Sequence, residues 1–314
     1  MADIKKIATR DSYGQALVDL GSQRDDFLVL DADLAEATKT IKFKEAYPDR
    51  FYDCGIAEQN MISIAAGIAA TGKKVFASSF AMFAAGRAFE QIRNSIAYPH
   101  LNVIVAATHA GISVGEDGAT HQCCEDIGIM RTIPGMTILN PADDTETKLA
   151  LKAALELDGP VYVRLGRLAV PVVFDEDYKF EIGKGATLKD GNDVTIIATG
   201  LMVAEALEAY EILKAEGINA RVINMATIKP LDTEIVLKAA KETGVIVTAE
   251  EHSVIGGLGS AVSEYLSETY PVPVLKVGVN DTFGSSGPAA ELLDKYGLRA
   301  KDIVKKAKEA IALK

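Results

Sequence analysis

The chain has 314 residues, a length that fits two domains of ordinary size, each able to bury its own core. Hydrophobic residues make up 48% and charged residues 25% of the sequence, which is the mix of a folded globular protein and excludes disorder. The formal net charge of -11 argues against nucleic acid as a ligand, although a local cluster of cations can hold a phosphate in an acidic protein.

The sequence contains no apolar run approaching the ~18 residues that a spanning helix needs, and its first residues lack the apolar core of a signal peptide. Its cysteines, Cys54, Cys123 and Cys124, fit neither a disulfide framework nor a zinc site. We therefore expect a cytoplasmic protein with free thiols, no membrane partner and no metal site of its own.

Apolar runs of strand length alternate with helical patterns through the first half of the chain. The predicted strands are 27–30, 75–77, 103–106, 137–139 and 161–163, and the predicted helices are 57–70 and 80–96. This alternation predicts an α/β fold, with a parallel sheet covered by helices on both faces. The first domain is predicted to cover residues 1–167.

Residues 168–193 interrupt the pattern with Pro171, an acidic run and several glycines, and are predicted to be a linker. Residues 194–314 are predicted to form a smaller α/β domain that ends in a helical tail after Gly287. Its predicted strands are 194–198, 220–223, 245–249 and 274–277, and its predicted helices are 203–216, 231–243 and 258–269.

Glu58 begins a predicted helix within the segment GIAEQNM, residues 55–61. A glutamate at this place has an ordinary explanation, because it complements the positive end of the helix dipole. The segment, with PDRF before it, resembles the glycine-x-x-glutamate segment of the transketolases and deoxyxylulose-phosphate synthases. The resemblance implies that Glu58 contacts the aminopyrimidine ring of thiamine diphosphate and is the catalytic carboxylate, sharing a proton with a ring nitrogen.

Two phenyl rings, Phe80 and Phe83, are three residues apart and so on one face of a helical turn. Taken alone, such a pair is more often part of a core. Their place after Glu58 resembles the aromatic pocket of the transketolases, which implies that both rings bind the pyrimidine, with Phe80 as the better candidate. A further aromatic found in many members is replaced at or near Gly86.

A glycine-rich loop, THAGISVGEDGATHQ at residues 108–122, follows a predicted strand, where parallel sheets place their ligand sites. A single loop histidine is usually solvated, but this whole string resembles the transketolase pattern. The resemblance implies that His121 is catalytic and contacts substrate oxygens near the reacting carbonyl. It also implies that Asp117 contacts a sugar hydroxyl and His109 the substrate phosphate.

Arg167 fits the phosphate-binding arginine of the same family, since a guanidinium can bind two oxygens at once, whereas Arg164 is interpreted as structural.

Asp33 resembles an aspartate that lies close to the cofactor at a chain interface in this family. The family often has a phosphate-binding serine shortly after this aspartate, but this sequence has Ala37 there. The glycine cluster at 256–259 is interpreted as a tight turn. The run Glu250-Glu251-His252 is not expected to bind a metal ion, because it lacks a second histidine at ligand spacing.

The glycine-aspartate-glycine and asparagine pair that holds magnesium on the cofactor's diphosphate is missing from the sequence. The resemblance therefore implies the C-terminal subunit of a split transketolase, a transferase that uses thiamine diphosphate. A complementary N-terminal subunit would carry the diphosphate and magnesium, in a heterotetramer acting on sugar phosphates.

Three alternatives stay open on the sequence alone. A deoxyxylulose-phosphate synthase would decarboxylate pyruvate, and the beta subunit of a 2-oxoacid dehydrogenase would work with a lipoyl carrier. A non-enzymatic remnant that binds partners is disfavoured, because the candidate residues are retained together.

Overall fold

The computed structural model describes residues 5–314, so the first four residues of the predicted first domain lie outside it. The elements of the first half, in chain order, are β1 (Lys6–Ala8), α1 (Thr9–Gln23), β2 (Phe27–Asp31), α2 (Ala35–Thr38), α3 (Ile41–Ala46), β3 (Phe51–Asp53), α4 (Glu58–Ala69), β4 (Lys74–Phe80), α5 (Phe89–Gln91), β5 (Val103–Thr108), α6 (Asp126–Arg131), β6 (Thr137–Leu139), α7 (Asp144–Glu156) and β7 (Val161–Arg164). Short 3-10 segments span Pro48–Arg50 and Ile112–Asp117, and π-helical turns span Met82–Arg87 and Ile92–Ala97.

The second half contains fewer irregular turns. Its elements are β8 (Ala169–Pro171), β9 (Ala186–Lys189), β10 (Val194–Ala198), α8 (Met202–Ala215), β11 (Ala220–Asn224), β12 (Thr227–Lys229), α9 (Thr233–Thr243), β13 (Ile246–Ser253), α10 (Leu258–Thr269), β14 (Val274–Val279), α11 (Ala289–Lys295) and α12 (Ala300–Ile311).

The first sheet has seven strands in the order β12-β6-β7-β5-β4-β2-β3, and every neighbouring pair is parallel except β12 with β6. Strands β4 and β5 are buried along almost their whole length, as expected where helices cover both faces. The predicted α/β fold is confirmed. The carboxyl ends of β2, β3, β4, β5 and β7 meet at one edge of this sheet, where parallel sheets place ligand sites.

The second sheet has five strands in the order β14-β13-β10-β11-β9, with β9 as its antiparallel edge. The predicted helical tail is part of this unit's core. Helix α12 buries Ile303, Ala307 and Ala310 in the same hydrophobic cluster as the strands. Within residues 5–314, no helix combines the length and the apolarity that a membrane crossing requires.

Two predicted segments differ in detail from the structure. Residues 80–96, predicted as one helix, form the end of β4, two π-helical turns and the single turn of α5. Residues 168–193, predicted as a linker, contribute β8, which pairs with β1, and β9, which pairs with β11. Strand β12 also crosses from the second half of the chain to the edge of the first sheet, so the two units share backbone hydrogen bonds.

A buried polar cluster joins the two units behind the carboxyl edge of the first sheet. Arg164 pairs with Asp126 at 2.8 Å and donates to the backbone oxygen of Glu251 at 2.9 Å. Tyr162 donates to the same Asp126 carboxylate at 2.9 Å. The Arg164 and Asp126 side chains are almost fully buried, so this ion pair lies away from solvent between the two units.

Candidate functional site

The residues predicted to form the site follow strands of the first sheet at their carboxyl ends. Because β2, β3, β4, β5 and β7 are neighbours in this sheet, the loops after them converge. The residues carried by these loops and strand ends are Asp33, Glu58, Phe80, Phe83, His109, Asp117, His121 and Arg167.

Glu58 is the first residue of α4, and its side chain is only 2% exposed. Its carboxylate accepts a hydrogen bond from Arg87 at 2.8 Å, while the Arg87 side chain is 49% exposed. A buried carboxylate needs such a partner, because an uncompensated charge away from water is strongly destabilising. The Arg87 guanidinium also lies 4.7 Å from the centre of the Phe83 ring.

Four aromatic and imidazole rings form a cluster whose Phe83 contacts Arg87, the partner of Glu58. Phe80 and Phe83 lie nearly parallel, at 10°, with centroids 6.0 Å apart, and the His109 ring stacks on Phe80 at 3.8 Å. His121 meets Phe83 edge-on at 5.3 Å. At Gly86 a side chain would come within 2.4 Å of the Met82 methyl group, so Met82 fills space beside the missing third aromatic.

His109 is held between two partners, which fixes its tautomer. Arg10 lies 3.0 Å from Nε2, and since a guanidinium only donates, Nε2 accepts and the proton is on Nδ1. The Nδ1 proton points to the Thr108 hydroxyl at 2.9 Å. Burial, reinforced by the positive charges of Arg10, Arg167 and other cations, lowers the pKa of His109 to about 3. The ring is therefore neutral at physiological pH.

Arg10 is a further candidate residue, one that the sequence pattern did not indicate. It lies in the first turn of α1, whose start is tied to the segment after β7: Thr9 accepts from the backbone of Gly166 at 2.7 Å, and Arg10 donates to the Gly166 carbonyl at 3.3 Å. This places Arg10 in the electrostatic environment of Arg167. Arg10 also donates to the carbonyl of Ala37 at 3.1 Å. Its only sequence signal is a cation at the start of a helix.

These cations surround His109 with positive charge inside a protein of net charge -11. Lys39, next to α2, also contributes to the field that lowers the pKa of His109. Arg167 pairs with Glu116 at 3.0 Å and donates to the carbonyl of Val114, and its side chain is 35% exposed. Arg10, Lys39 and Arg167, with the neutral His109 among them, are named here the cationic cluster, which suits an anionic group of a ligand.

The glycine-rich loop rests on the second unit. Glu251 accepts from the backbone of Ser113 at 2.5 Å, and Gln122 donates to the carbonyl of Ser285 at 3.0 Å. Asp117 is exposed, and His121 is partly exposed with Nδ1 beside the Thr120 hydroxyl at 2.9 Å. The second unit thus holds the loop that carries the candidate substrate residues.

Asp33 lies at the outer part of this edge and is exposed. Its backbone has a φ of 61°, in the left-handed region, and its N–H donates to the Asp53 carboxylate at 3.1 Å. The neighbouring Asp31 is buried and accepts from Thr38 and Thr40. Burial raises the pKa of Asp31 to about 6. The hydrogen bonds that Asp31 accepts from Thr38, Thr40 and the Leu34 backbone anchor the loop that presents Asp33.

The glycine cluster at 256–259 has an internal partner. The Glu250 carboxylate accepts from the backbone of Leu258 at 2.7 Å and of Gly259 at 2.8 Å, at the start of α10. A side chain of the protein therefore occupies this helix N-terminus. His252 Nε2 accepts from the Gly128 backbone at 3.2 Å. Across residues 5–314, the structure contains no cluster of side chains arranged to hold a metal ion.

Two family models match the chain. The model for the transketolase pyrimidine binding domain matches residues 5–172, and the model for the transketolase C-terminal domain matches residues 183–303. The first match contains all the candidate residues, and the second begins after β8.

Two relatives and one solved structure resemble the chain over nearly its full length. A putative transketolase C-terminal section from Methanocaldococcus jannaschii is 53% identical over 303 residues, covering 96% of this chain and 95% of that protein. The 6-deoxy-6-sulfo-D-fructose transketolase subunit of Clostridium sp. is 47% identical over 300 residues, covering 96% and 93%. A structure described as a split gene transketolase, inactive beta4 tetramer, has a TM-score of 0.92 and 58% identity, covering 98% and 99%. The chain belongs to the transketolase family.

Proposed function

We propose that this chain is the C-terminal subunit of a two-chain transketolase. With thiamine diphosphate it transfers a two-carbon ketol unit from a ketose phosphate to an aldose phosphate. A complementary N-terminal subunit supplies the site for the diphosphate and magnesium, and the two chains assemble in the cytoplasm as a heterotetramer. The family uses thiamine diphosphate, and relatives named as a C-terminal section and as a subunit support the division into two chains.

The observation that carries this proposal is the environment of Glu58. Its carboxylate is buried at the start of α4, and its half-exposed ion-pair partner Arg87 also lies over the Phe83 ring. A buried carboxylate and an aromatic ring that share one planar partner suit a planar, nitrogen-containing ring that stacks and donates a hydrogen bond. The residues present therefore fit the pyrimidine end of the cofactor.

Thiamine diphosphate supplies the carbon nucleophile that cleaves the ketose and carries the two-carbon unit. Glu58 would share a proton with the pyrimidine ring nitrogen, because its buried carboxylate is shielded from water that would compete for that proton. Phe80 and Phe83 orient the ring and exclude water, and Asp33 lies near the cofactor where the chains meet. The partly exposed His121 donates to or accepts from substrate oxygens near the reacting carbonyl.

The cationic cluster holds the distal phosphate in this proposal, with Arg167 and His109 as the contacts expected from the sequence and Arg10 added. Arginines are suited to bidentate contact with phosphate oxygens. Because Nε2 of His109 accepts from Arg10, His109 donates to an anion only when Arg10 moves away and the ring proton shifts from Nδ1 to Nε2, with Nδ1 then accepting from the Thr108 hydroxyl. Asp117 is exposed in the same loop as His109 and accepts a hydrogen bond from a sugar hydroxyl of the substrate.

Reconstitution tests the proposal. The purified chain with thiamine diphosphate and magnesium should release no aldose phosphate from a ketose phosphate donor, and activity should appear on titration with the complementary subunit. A structure similar to this chain is described as an inactive beta4 tetramer, which supports this expectation. The proposal would be contradicted if the chain alone turned over substrate. It would also be contradicted if the complex decarboxylated pyruvate in place of transferring a ketol unit.

A further inference from the structure

Arg87 makes two contacts that stand out because they involve the two groups assigned to the cofactor ring. Its guanidinium donates to the Glu58 carboxylate at 2.8 Å and lies over the Phe83 ring at 4.7 Å. Arg87 is four residues after Phe83, at the end of the π-helical turn Met82–Arg87, which places both side chains on one face. Such turns occur frequently at functional sites.

A guanidinium and a protonated aminopyrimidine are chemically alike in the features that matter here. Both are planar cations, both stack on a phenyl face, and both donate N–H hydrogen bonds to a carboxylate. A ring that bonded the same Glu58 oxygen, Oε2, and stacked on the same face of Phe83 would need the contacts that Arg87 makes. Arg87 and such a ring compete for this place.

We infer that Arg87 is a stand-in for the cofactor's pyrimidine ring: it competes with the ring for Glu58 and must leave Glu58 when the ring enters. This inference rests on the proposed function. The stand-in keeps the buried Glu58 charge compensated before assembly, when an unpaired carboxylate would destabilise the subunit. Because the Arg87 side chain is 49% exposed, it has a route into solvent once the ring replaces it.

The exchange makes Arg87 a competitor of the cofactor, which gives a prediction opposite to that for an ordinary binding residue. In the assembled complex, Arg87→Gln should bind thiamine diphosphate roughly tenfold more tightly by calorimetry, the scale of one charge-assisted hydrogen bond that no longer has to be broken. Arg93→Gln is the matched control, since Arg93 is exposed on the following helical turns and bonds Asn94 instead. It should leave cofactor affinity unchanged.

The isolated chain provides a second readout that needs no cofactor. Urea unfolding of Glu58→Gln, Arg87→Gln and the double variant should give a positive coupling between the two positions, and Arg93→Gln should show none with Glu58→Gln. If Arg87→Gln does not fold, Arg87→Lys keeps the charge but loses the planar stack, and it should still bind the cofactor more tightly than the wild type.

The outcomes separate this inference from the function on which it rests. A wild-type complex that binds thiamine diphosphate, together with Arg87 variants that bind it equally or more weakly, would overturn the stand-in and leave the proposed function intact. A wild-type complex that does not bind the cofactor would overturn both, whatever coupling the unfolding experiments show. Tighter binding by Arg87→Gln, with coupling in the isolated chain, would support the exchange.

Discussion

Arg10 and His109, separated by 99 positions in the chain, are joined by a 3.0 Å hydrogen bond in which the guanidinium donates to Nε2. This contact brings the first helix of the chain into a site otherwise built from loops after strands. It also keeps His109 neutral, because burial and the nearby positive charges both oppose its protonation. This end of the candidate site therefore relies on arginine and lysine for its positive charge.

Arg10→Gln should raise the Michaelis constant of the complex for phosphorylated acceptors roughly tenfold to hundredfold, with a smaller change in kcat. The reason is the loss of one cation from the cationic cluster. Steady-state kinetics with a phosphorylated aldose and a short unphosphorylated aldehyde provide the comparison, and Arg93→Gln is the control. Equal losses with both acceptors would assign Arg10 to folding or to the cofactor.

Arg167→Ala and His109→Ala should likewise act mainly on phosphorylated acceptors, with Arg167→Ala giving the larger effect because His109 is neutral. The same variants should be measured with a sulfonated ketose donor in place of the ketose phosphate, since one relative is named for a sulfonated fructose. If either variant lowers kcat for unphosphorylated acceptors as much as for phosphorylated ones, the cationic cluster does not hold the distal anion.

Asp126→Asn should lower the free energy of unfolding by about 3 to 5 kcal/mol, the usual cost of breaking a buried ion pair by removing one partner. Arg164 would then stay buried without a counter-charge, between the two units. Urea unfolding measures the change. Glu234→Gln, which breaks the exposed pair of Lys184 with Glu234, should leave stability nearly unchanged. Similar losses in both variants would contradict the structural importance of the buried cluster.

Glu251 should make stability fall as the pH rises. Burial raises the pKa of this carboxyl from 4.5 to about 7, so the folded chain holds the proton more tightly than the unfolded chain. Its contribution is fully present below pH 4.5 and is lost as the pH passes through about 7. Buried Glu146, with its pKa raised to about 7, acts in the same direction.

Glu251→Gln should therefore reduce the loss of stability between pH 5 and pH 8 by about 1 to 3 kcal/mol, given the size of the pKa change. Urea unfolding at a series of pH values gives this difference. The control is Glu45→Gln at an exposed position, which should keep the wild-type pH dependence. A Glu251→Gln profile that is parallel to the wild type would mean that Glu251 ionises normally in the folded chain.

The sequence predicted the sheets well because buried strands leave a local signal. The runs at 137–139 and 194–198 coincide with β6 and β10, and the α/β alternation predicted where the loops would meet. Helix α1 also leaves a local signal in the sequence, although it was not predicted. Its buried residues Tyr13, Ala16, Leu17 and Leu20 are spaced to lie on one helical face.

What the sequence could not provide are contacts between distant segments. Arg10 meets His109 only because α1 starts beside Gly166, and no local pattern encodes that approach. Strand β12 crosses to the first sheet with a run of three residues, too short for its period to be recognised. The residues 82–87 have helical spacing but form a π-helical turn, and this turn places Arg87 against Glu58. A pattern of residue types does not distinguish these helical forms.

The role of Glu58 is tested most directly by Glu58→Gln in the assembled complex. The substitution keeps the shape and some hydrogen bonding but removes the group that shares a proton, so kcat for ketol transfer should fall by about two to four orders of magnitude. Calorimetry should show that the variant still binds thiamine diphosphate, and circular dichroism that it folds. If a folded, cofactor-loaded Glu58→Gln complex turned over at the wild-type rate, Glu58 would be only a favourable charge at the start of α4, and the account of this site would be contradicted.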